Sequence, residues 1–380
     1  MLVQPIYRYL VVVLFLFVIK ITMSNCFSQE LELTSSYLNE KRVVNIRLPD
    51  GYECSKATYP VIIVFDGELL SDYVTSLFKY NYDVYPPSII VGVHQIKRDE
   101  ELVSIEGKED KNVNFSNFVN EELLSYIEKN YRTNVMYTLI GHSFGGVFTL
   151  NTLFKNKKIK YGIAISPTIW GIHKKSVWSE IEKQKQVNKQ LFLGYGENEN
   201  KGLKKGVKEL STFLEKDAGV KLKMKQFLEE DHNSSILIGI RKGLGFLYQN
   251  WEANLPENLW TKIEEEKKPD YFYDYFDTLS KKNGKQLIPS EEDYNTLGYY
   301  FLEEKQYSKA ISVFEKNTLL YPCSSNVYDS LAEAYLTEGD KKKALKYYKK
   351  ALKTEQKNDK SPYLIEGFQK QISSLKKELK

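Results

Sequence analysis

From residue 36 to about 250, hydrophobic positions follow two rhythms in turn. Val61-Ile-Ile-Val-Phe65, Ser88-Ile-Ile-Val-Gly-Val93 and Val135-Met-Tyr-Thr-Leu-Ile140 are continuous apolar runs, as strands covered on both faces require. Tyr161-Gly-Ile-Ala-Ile165 and Gln190-Leu-Phe-Leu-Gly194 extend the series. Val43-Val-Asn-Ile-Arg-Leu48 alternates instead and runs into Pro49-Asp50-Gly51, which predicts an early antiparallel strand closed by a turn. Val220 to Phe227 alternates too, predicting a strand near an edge. Between these runs, Phe115 to Lys129 and Leu203 to Leu214 carry helical spacing. Strands interleaved with helices predict an α/β fold on a mostly parallel, doubly wound sheet.

The pattern changes after about residue 285. Tyr294, Leu297, Gly298, Phe301, Tyr307, Ala310, Phe314 and Pro322 fit a tetratricopeptide unit, and Tyr328, Leu331, Ala332, Tyr335, Ala344, Tyr348 and Ala351 repeat its spacing 34 residues later. Two such repeats cannot bury their apolar faces alone. They are expected to pack against the preceding domain, a terminal helix from Ser361 to Leu379, or another subunit. Residues 251–289, with Trp251, Trp260 and a tyrosine-rich cluster at 271–275, are expected to form connecting helices whose aromatic stripe makes an interdomain contact.

At the amino end, Arg8 precedes the apolar run Leu10 to Ile19, which Lys20 interrupts. Ten helical residues rise only about 15 Å, half of a bilayer core, so no stable membrane span is expected. Cys26-Phe27-Ser28 before Gln29 has small residues where a signal peptidase cuts. Residues 1–28 therefore read as a signal peptide, leaving a protein exported to the periplasm or the cell exterior; a retained anchor and lipid attachment at Cys26 are the alternatives. The expected divisions are then 29–250 for the sheet domain, 251–289 for the connector and 290–380 for the repeats. Setting aside Arg8 and Lys20 leaves 52 of the 54 basic residues against 50 acidic ones, which gives no basis for nucleic-acid binding. Cys54 and Cys323 would be the remaining cysteines. Lying in different predicted domains, they are expected to be free thiols.

The chemistry centres on Gly141-His142-Ser143-Phe144-Gly145, between an apolar strand and the helix-like stretch Val147 to Phe154. That order is the nucleophile elbow of α/β-hydrolases, with Ser143 as nucleophile. A serine hydroxyl needs a general base, and the chain has only four histidines. His142 adjoins the serine and should point away from it; His94 ends a strand; His173 reads as a surface residue. His232, in the loop Glu229 to Ser234 after the last strand, is the expected base. The acid that orients it should follow the preceding strand, where Glu199 is favoured and Glu197 is second choice. Asp231, adjacent to His232, is awkwardly placed. Phe144 N–H supplies one oxyanion donor, and Gly67 or Glu68 N–H the other; Asp66 beside them reads as structural. Trp170 either walls the substrate pocket or belongs to the core. This chemistry calls for no metal or cofactor.

The hydrolase region resembles the esterase D-like family of α/β-hydrolases, which includes enterobactin- and salmochelin-type siderophore esterases. The resemblance lies in Leu48-Pro-Asp-Gly-Tyr52, Val64-Phe-Asp-Gly-Glu68, Val91-Gly-Val93 with Arg98-Asp99, Gly141 to Gly146, Ile165-Ser-Pro-Thr-Ile-Trp170, Asp231-His-Asn-Ser234 and Gly243-Leu-Gly-Phe-Leu247. It implies an α/β-hydrolase fold with Ser143 as nucleophile and His232 as base. His94 to Arg98 departs from the family's usual loop there. The expected function is an exported serine esterase acting on a small-molecule or sugar ester, with a protein partner for the repeats. An inert partner-binding protein and an acyltransferase using the same triad are the alternatives.

Overall fold

The computed structural model describes residues 28–54, 57–81, 84–105, 109–183, 188–216, 219–249, 256–283, 288–357 and 361–379. Residues 1–27, nearly all of the expected leader, and Trp251 lie outside the described residues. Among the described residues, no helix is long and apolar enough to cross a membrane.

Among the described residues, eight strands form one sheet: β1 (Ser28–Ser35), β2 (Glu40–Arg47), β3 (Tyr59–Phe65), β4 (Ile89–Val93), β5 (Thr133–His142), β6 (Tyr161–Ile165), β7 (Lys189–Gly196) and β8 (Val220–Phe227). They lie in the order β1-β2-β4-β3-β5-β6-β7-β8. β2 runs antiparallel to β4, as its alternation predicts, whereas β3 and β4 are parallel, as are β5 with β6, β6 with β7 and β7 with β8. All seven positions of β3 are buried, which explains its unbroken apolar run. β8, at one edge of the sheet, exposes Lys221, Lys223, Met224 and Lys225 and buries Val220 and Phe227. β1 was not anticipated. It pairs antiparallel outside β2, setting Leu31 opposite Val44.

Helices α1 (Gly67–Tyr80), α2 (Arg98–Leu102), α3 (Glu109–Asn117), α4 (Leu124–Asn130), α5 (Phe144–Lys155), α6 (Gly171–Glu182), α7 (Lys201–Leu214) and α8 (Ser235–Leu247) connect or follow the strands. A π-helical stretch, Phe118–Leu123, joins α3 to α4, so the helix predicted over Phe115 to Lys129 is one winding with a widened turn. The chain moves from β3 outward to β4 and then returns to place β5 on the other flank of β3. Such a reversal opens a crevice beyond the carboxyl ends of the strands, where ligands bind in doubly wound sheets. Asp66 follows β3 and Ser143 follows β5 at this reversal. This is an α/β-hydrolase fold.

Two compact units emerge from the packing. The first holds the described parts of residues 1–48, 60–77 and 88–243; the second holds 49–59, 78–87 and 244–380. In the second lie α9 (Glu257–Glu266), α10 (Asp270–Asn283), α11 (Glu291–Glu303), α12 (Tyr307–Leu320), α13 (Ser325–Glu338), α14 (Lys341–Lys357) and α15 (Pro362–Glu378). Leu297, Ala310, Phe314, Leu331, Ala332, Ala344 and Ala351 are fully buried in one cluster, the small residues letting paired helices approach closely. Phe368, Ile372 and Leu375 of α15 close the same cluster. The terminal helix thus supplies the apolar cover that two repeats lack.

Phe272 and Phe276 of the connector sit in the repeat unit's own cluster, with Trp260, Tyr271 and Tyr275 packed against it. One expectation is corrected here. Cys54 and Cys323 are not free thiols but a disulfide, with Cα atoms 5.4 Å apart across 269 positions of sequence. The thiol reading followed from linear order. The described residues of 49–58, though they lie between β2 and β3 in sequence, fold with the second unit.

Candidate active site

Ser143 caps α5 at the end of β5 with φ 56° and ψ −116°. A non-glycine residue in this region is strained, and such strain concentrates where function requires it. Its N–H donates to Ile165 O at 2.9 Å, and its carbonyl accepts Val147 N–H at 3.1 Å. A Cβ on Gly141 would come within 2.0 Å of Gly145 O. Only glycine therefore allows the strand and helix to meet so closely.

A continuous series of hydrogen bonds leaves this serine. Ser143 Oγ lies 2.9 Å from His232 Nε2, while His232 Nδ1 lies 3.0 and 3.1 Å from the two carboxylate oxygens of Glu199. An ionised carboxylate only accepts, so Nδ1 carries the proton; in the neutral ring Nε2 is then the acceptor for the serine hydroxyl. The Glu199 side chain is 2% exposed. Glu197 does not reach the imidazole. Its Oε2 accepts Glu229 N–H at 3.1 Å and its own N–H donates to Phe227 O at 2.8 Å, tying the loop after β7 to the end of β8. Asp231 is also occupied locally. It accepts the N–H groups of Ser234 and Asn233 at 2.8 and 2.9 Å, and these bonds hold its carboxyl below the usual range.

Phe144 is the first residue of α5, and Gly67 and Glu68 are the first two of α1. The opening N–H groups of a helix have no acceptor within it, so both termini offer donors at the crevice. A Cβ on Gly67 would fall 2.3 Å from Gly92 C, so glycine is needed for α1 to start against β4. Asp66, φ 55°, is held in an ion pair. Arg98 Nε and Nη2 donate to its two oxygens at 2.5 and 2.9 Å, and Nη2 also reaches His142 O at 3.2 Å. Gln95 Oε1 accepts Asp66 N–H at 2.8 Å. Arg98 thereby ties the start of α1 to the elbow, a role no local signal in the sequence announces.

The other histidines are distributed around the site. His142 is 8% exposed, and burial pushes its pKa down to about 4. Its Nε2 donates to the backbone carbonyl of His232 at 2.8 Å. His94 directly follows β4, and its N–H donates to Val43 O at 3.2 Å. His173 was expected at the surface but is half-buried, its ring 5.6 Å from that of Phe144, and burial lowers its pKa. Trp170, at the start of α6, is 40% exposed and so is not core. Among the described residues, no three His, Cys, Asp or Glu side chains converge as a metal-ligand set.

The family model described as "Putative esterase" matches residues 35–259, and a tetratricopeptide-repeat model matches residues 325–358. An IroE-like serine hydrolase from Shewanella oneidensis superposes with a TM-score of 0.62 at 24% identity, covering 76% of this chain and 98% of that one. An uncharacterised protein from Capnocytophaga ochracea gives 0.59 at 20% identity, covering 92% and 99%. The siderophore hydrolase EstB from Aspergillus nidulans gives 0.52 at 18% identity, covering 62% and 99%. At these identities the likeness is one of fold. No curated protein sequence matches the chain.

Proposed function

The chain belongs to the putative esterase family and is a carboxylic ester hydrolase; from that premise we propose that it works through an acyl-enzyme on Ser143. The observation that carries this reading is the unbroken series Ser143 Oγ, His232 Nε2, His232 Nδ1 and Glu199. Ser143 Oγ attacks the ester carbonyl carbon while His232 Nε2 takes its proton. The developing oxyanion accepts Phe144 N–H and the N–H of Gly67 or Glu68. The tetrahedral adduct then collapses, and His232 returns the proton to the departing alcohol. Water, activated by the same imidazole, releases the acid and restores the serine. Glu199 holds Nδ1–H and stabilises the imidazolium formed in each half-reaction. Trp170, exposed beside α6, is assigned to the substrate-pocket wall.

Export is part of the proposal. Disulfides persist in oxidising compartments, and the Cys54–Cys323 bond supports the exported location that the leader pattern suggests. The repeats at 325–358 are assigned a protein partner, since stacked helix pairs of this kind present extended binding faces. A small-molecule ester is the substrate, and fold-level likeness to a siderophore hydrolase makes siderophore lactones one class to test.

The test is labelling with a fluorophosphonate probe, mapped by peptide mass, alongside hydrolysis of siderophore, acetyl-sugar, feruloyl and short acyl esters. Label should appear on Ser143, and Ser143→Ala should lose about 10⁴-fold or more in turnover. Unimpaired hydrolysis by Ser143→Ala sinks the mechanism, whereas label without hydrolysis of any ester, but with acyl transfer to added alcohols, redirects it to transferase chemistry.

A further inference from the structure

We propose that His142 and Ser235 clamp the backbone carbonyl of His232 from two sides and are positioning residues for the general base, an inference that rests on the serine-esterase reading above. A base that shuttles a proton must hold its Nε2 toward Ser143 in every step, and misplacement by about 1 Å can cost 10²-fold. Glu199 fixes the far ring nitrogen but not the backbone that carries the ring. That backbone lies in a loop whose Asp231, Asn233 and Ser234 are all exposed, so packing of the loop itself does not secure it.

The carbonyl of His232 is secured instead. It has two lone pairs and receives two donors: His142 Nε2–H at 2.8 Å and Ser235 Oγ–H at 3.2 Å. With its proton committed to the carbonyl, Ser235 Oγ acts as acceptor toward Ser166 Oγ–H at 3.0 Å. The direction of this short relay is therefore fixed. His142 is 8% exposed, and Ser166 and Ser235 are 0% exposed, so water does not compete for these donors. Ser166 holds its place with φ 44°, a conformation that a non-glycine residue keeps only when its surroundings enforce it. His142, Ser166 and Ser235 have no part in the proton transfers of the proposed mechanism.

The experiment is steady-state kinetics on 4-nitrophenyl butyrate, with the full chain as His142→Phe, His142→Gln, Ser235→Ala and the double variant His142→Phe/Ser235→Ala, beside Ser143→Ala. Expected is a 10- to 100-fold loss of kcat in His142→Phe with KM within about threefold, largely rescued in His142→Gln, which keeps an amide donor. Ser235→Ala should lose kcat in the same sense. The double variant should lose less than the product of the two single losses, because both donors serve one carbonyl. A loss confined to KM, equal losses in the Phe and Gln variants, or unchanged kcat in both His142→Phe and Ser235→Ala overturns the clamp while leaving an inactive Ser143→Ala, and hence the esterase reading, intact. Should His142→Phe fail to fold by circular dichroism, kcat of Ser235→Ala decides alone. Full activity in Ser143→Ala overturns both readings together.

Discussion

Glu199 meets His232 with both carboxylate oxygens, at 3.0 and 3.1 Å from Nδ1, whereas Glu197, two residues earlier, is turned to the backbone of Glu229. This division of labour between neighbouring acids separates them experimentally. Glu199→Gln should lower kcat by about 10³ to 10⁴-fold, because an amide cannot stabilise the imidazolium or hold the same tautomer. Glu197→Gln should stay within about threefold of wild type, since its amide oxygen can still accept the Glu229 N–H. Comparable kcat losses in the two variants would contradict the assignment.

His142 provides a stability signature that acid titration reads directly. Its pKa falls from 6.5 to about 4 because burial disfavours the imidazolium. The unfolded chain therefore binds the extra proton first as pH drops, and the stability held above pH 6.5 is lost on the way to pH 4. The full effect is about 3 kcal/mol. His142→Gln lacks this titration, so its melting temperature should fall less than that of wild type between pH 7.5 and 4.5. Parallel declines in the two proteins would show that His142 does not carry the linkage.

Asp329 on α13 has the opposite sign. Burial, with Glu333 as a secondary cause, raises its carboxyl from 3.8 to about 6. Its contribution is intact below pH 3.8 and is lost as pH rises through 6. Asp329→Asn removes the ionisation and should gain about 1–2 kcal/mol at pH 8, with no advantage near pH 4. Chemical denaturation at the two pH values measures this; an Asn variant no more stable than wild type at pH 8 refutes it.

The Cys54–Cys323 bond closes a loop spanning 269 positions, and long loops restrict the unfolded chain most in the chain-entropy view. Cys54→Ser/Cys323→Ser should cost about 2–4 kcal/mol, read as a lower midpoint in urea. Wild type treated with a reductant should shift to meet the double variant. An unchanged midpoint in both would mean that the bond contributes nothing to stability.

What was legible from residues alone was what short-range order determines. The elbow is a five-residue constraint on backbone geometry, and the positions of Glu199 and His232 after successive strands place them at one sheet edge once the winding is known. The apolar runs of β3, β4 and β6 likewise announce burial on both faces. β1 escaped because Glu30-Leu31-Glu32-Leu33 is a brief alternation beside a presumed cleavage point. The disulfide escaped because pairing depends on segment 49–59 folding with distant helices, which no local pattern encodes. Arg98 and Ser166 are illegible for the same reason, since Arg98 meets Asp66 and the His142 carbonyl, and Ser166 meets Ser235, across long stretches of sequence; the Ser235 bond to His232 O spans only three residues, but a lone serine after a loop histidine carries no period that would announce it.

The bond between Cys54 and Cys323 also makes a covalent ring of the chain between those positions, and Ser143, Glu199 and His232 all lie on that ring. A single proteolytic nick anywhere from residue 55 to 322 would open the circle without releasing a fragment. If the protein is exported as proposed, to where peptidases are abundant, a once-cut molecule would still keep the proposed nucleophile, base and acid in one covalent body.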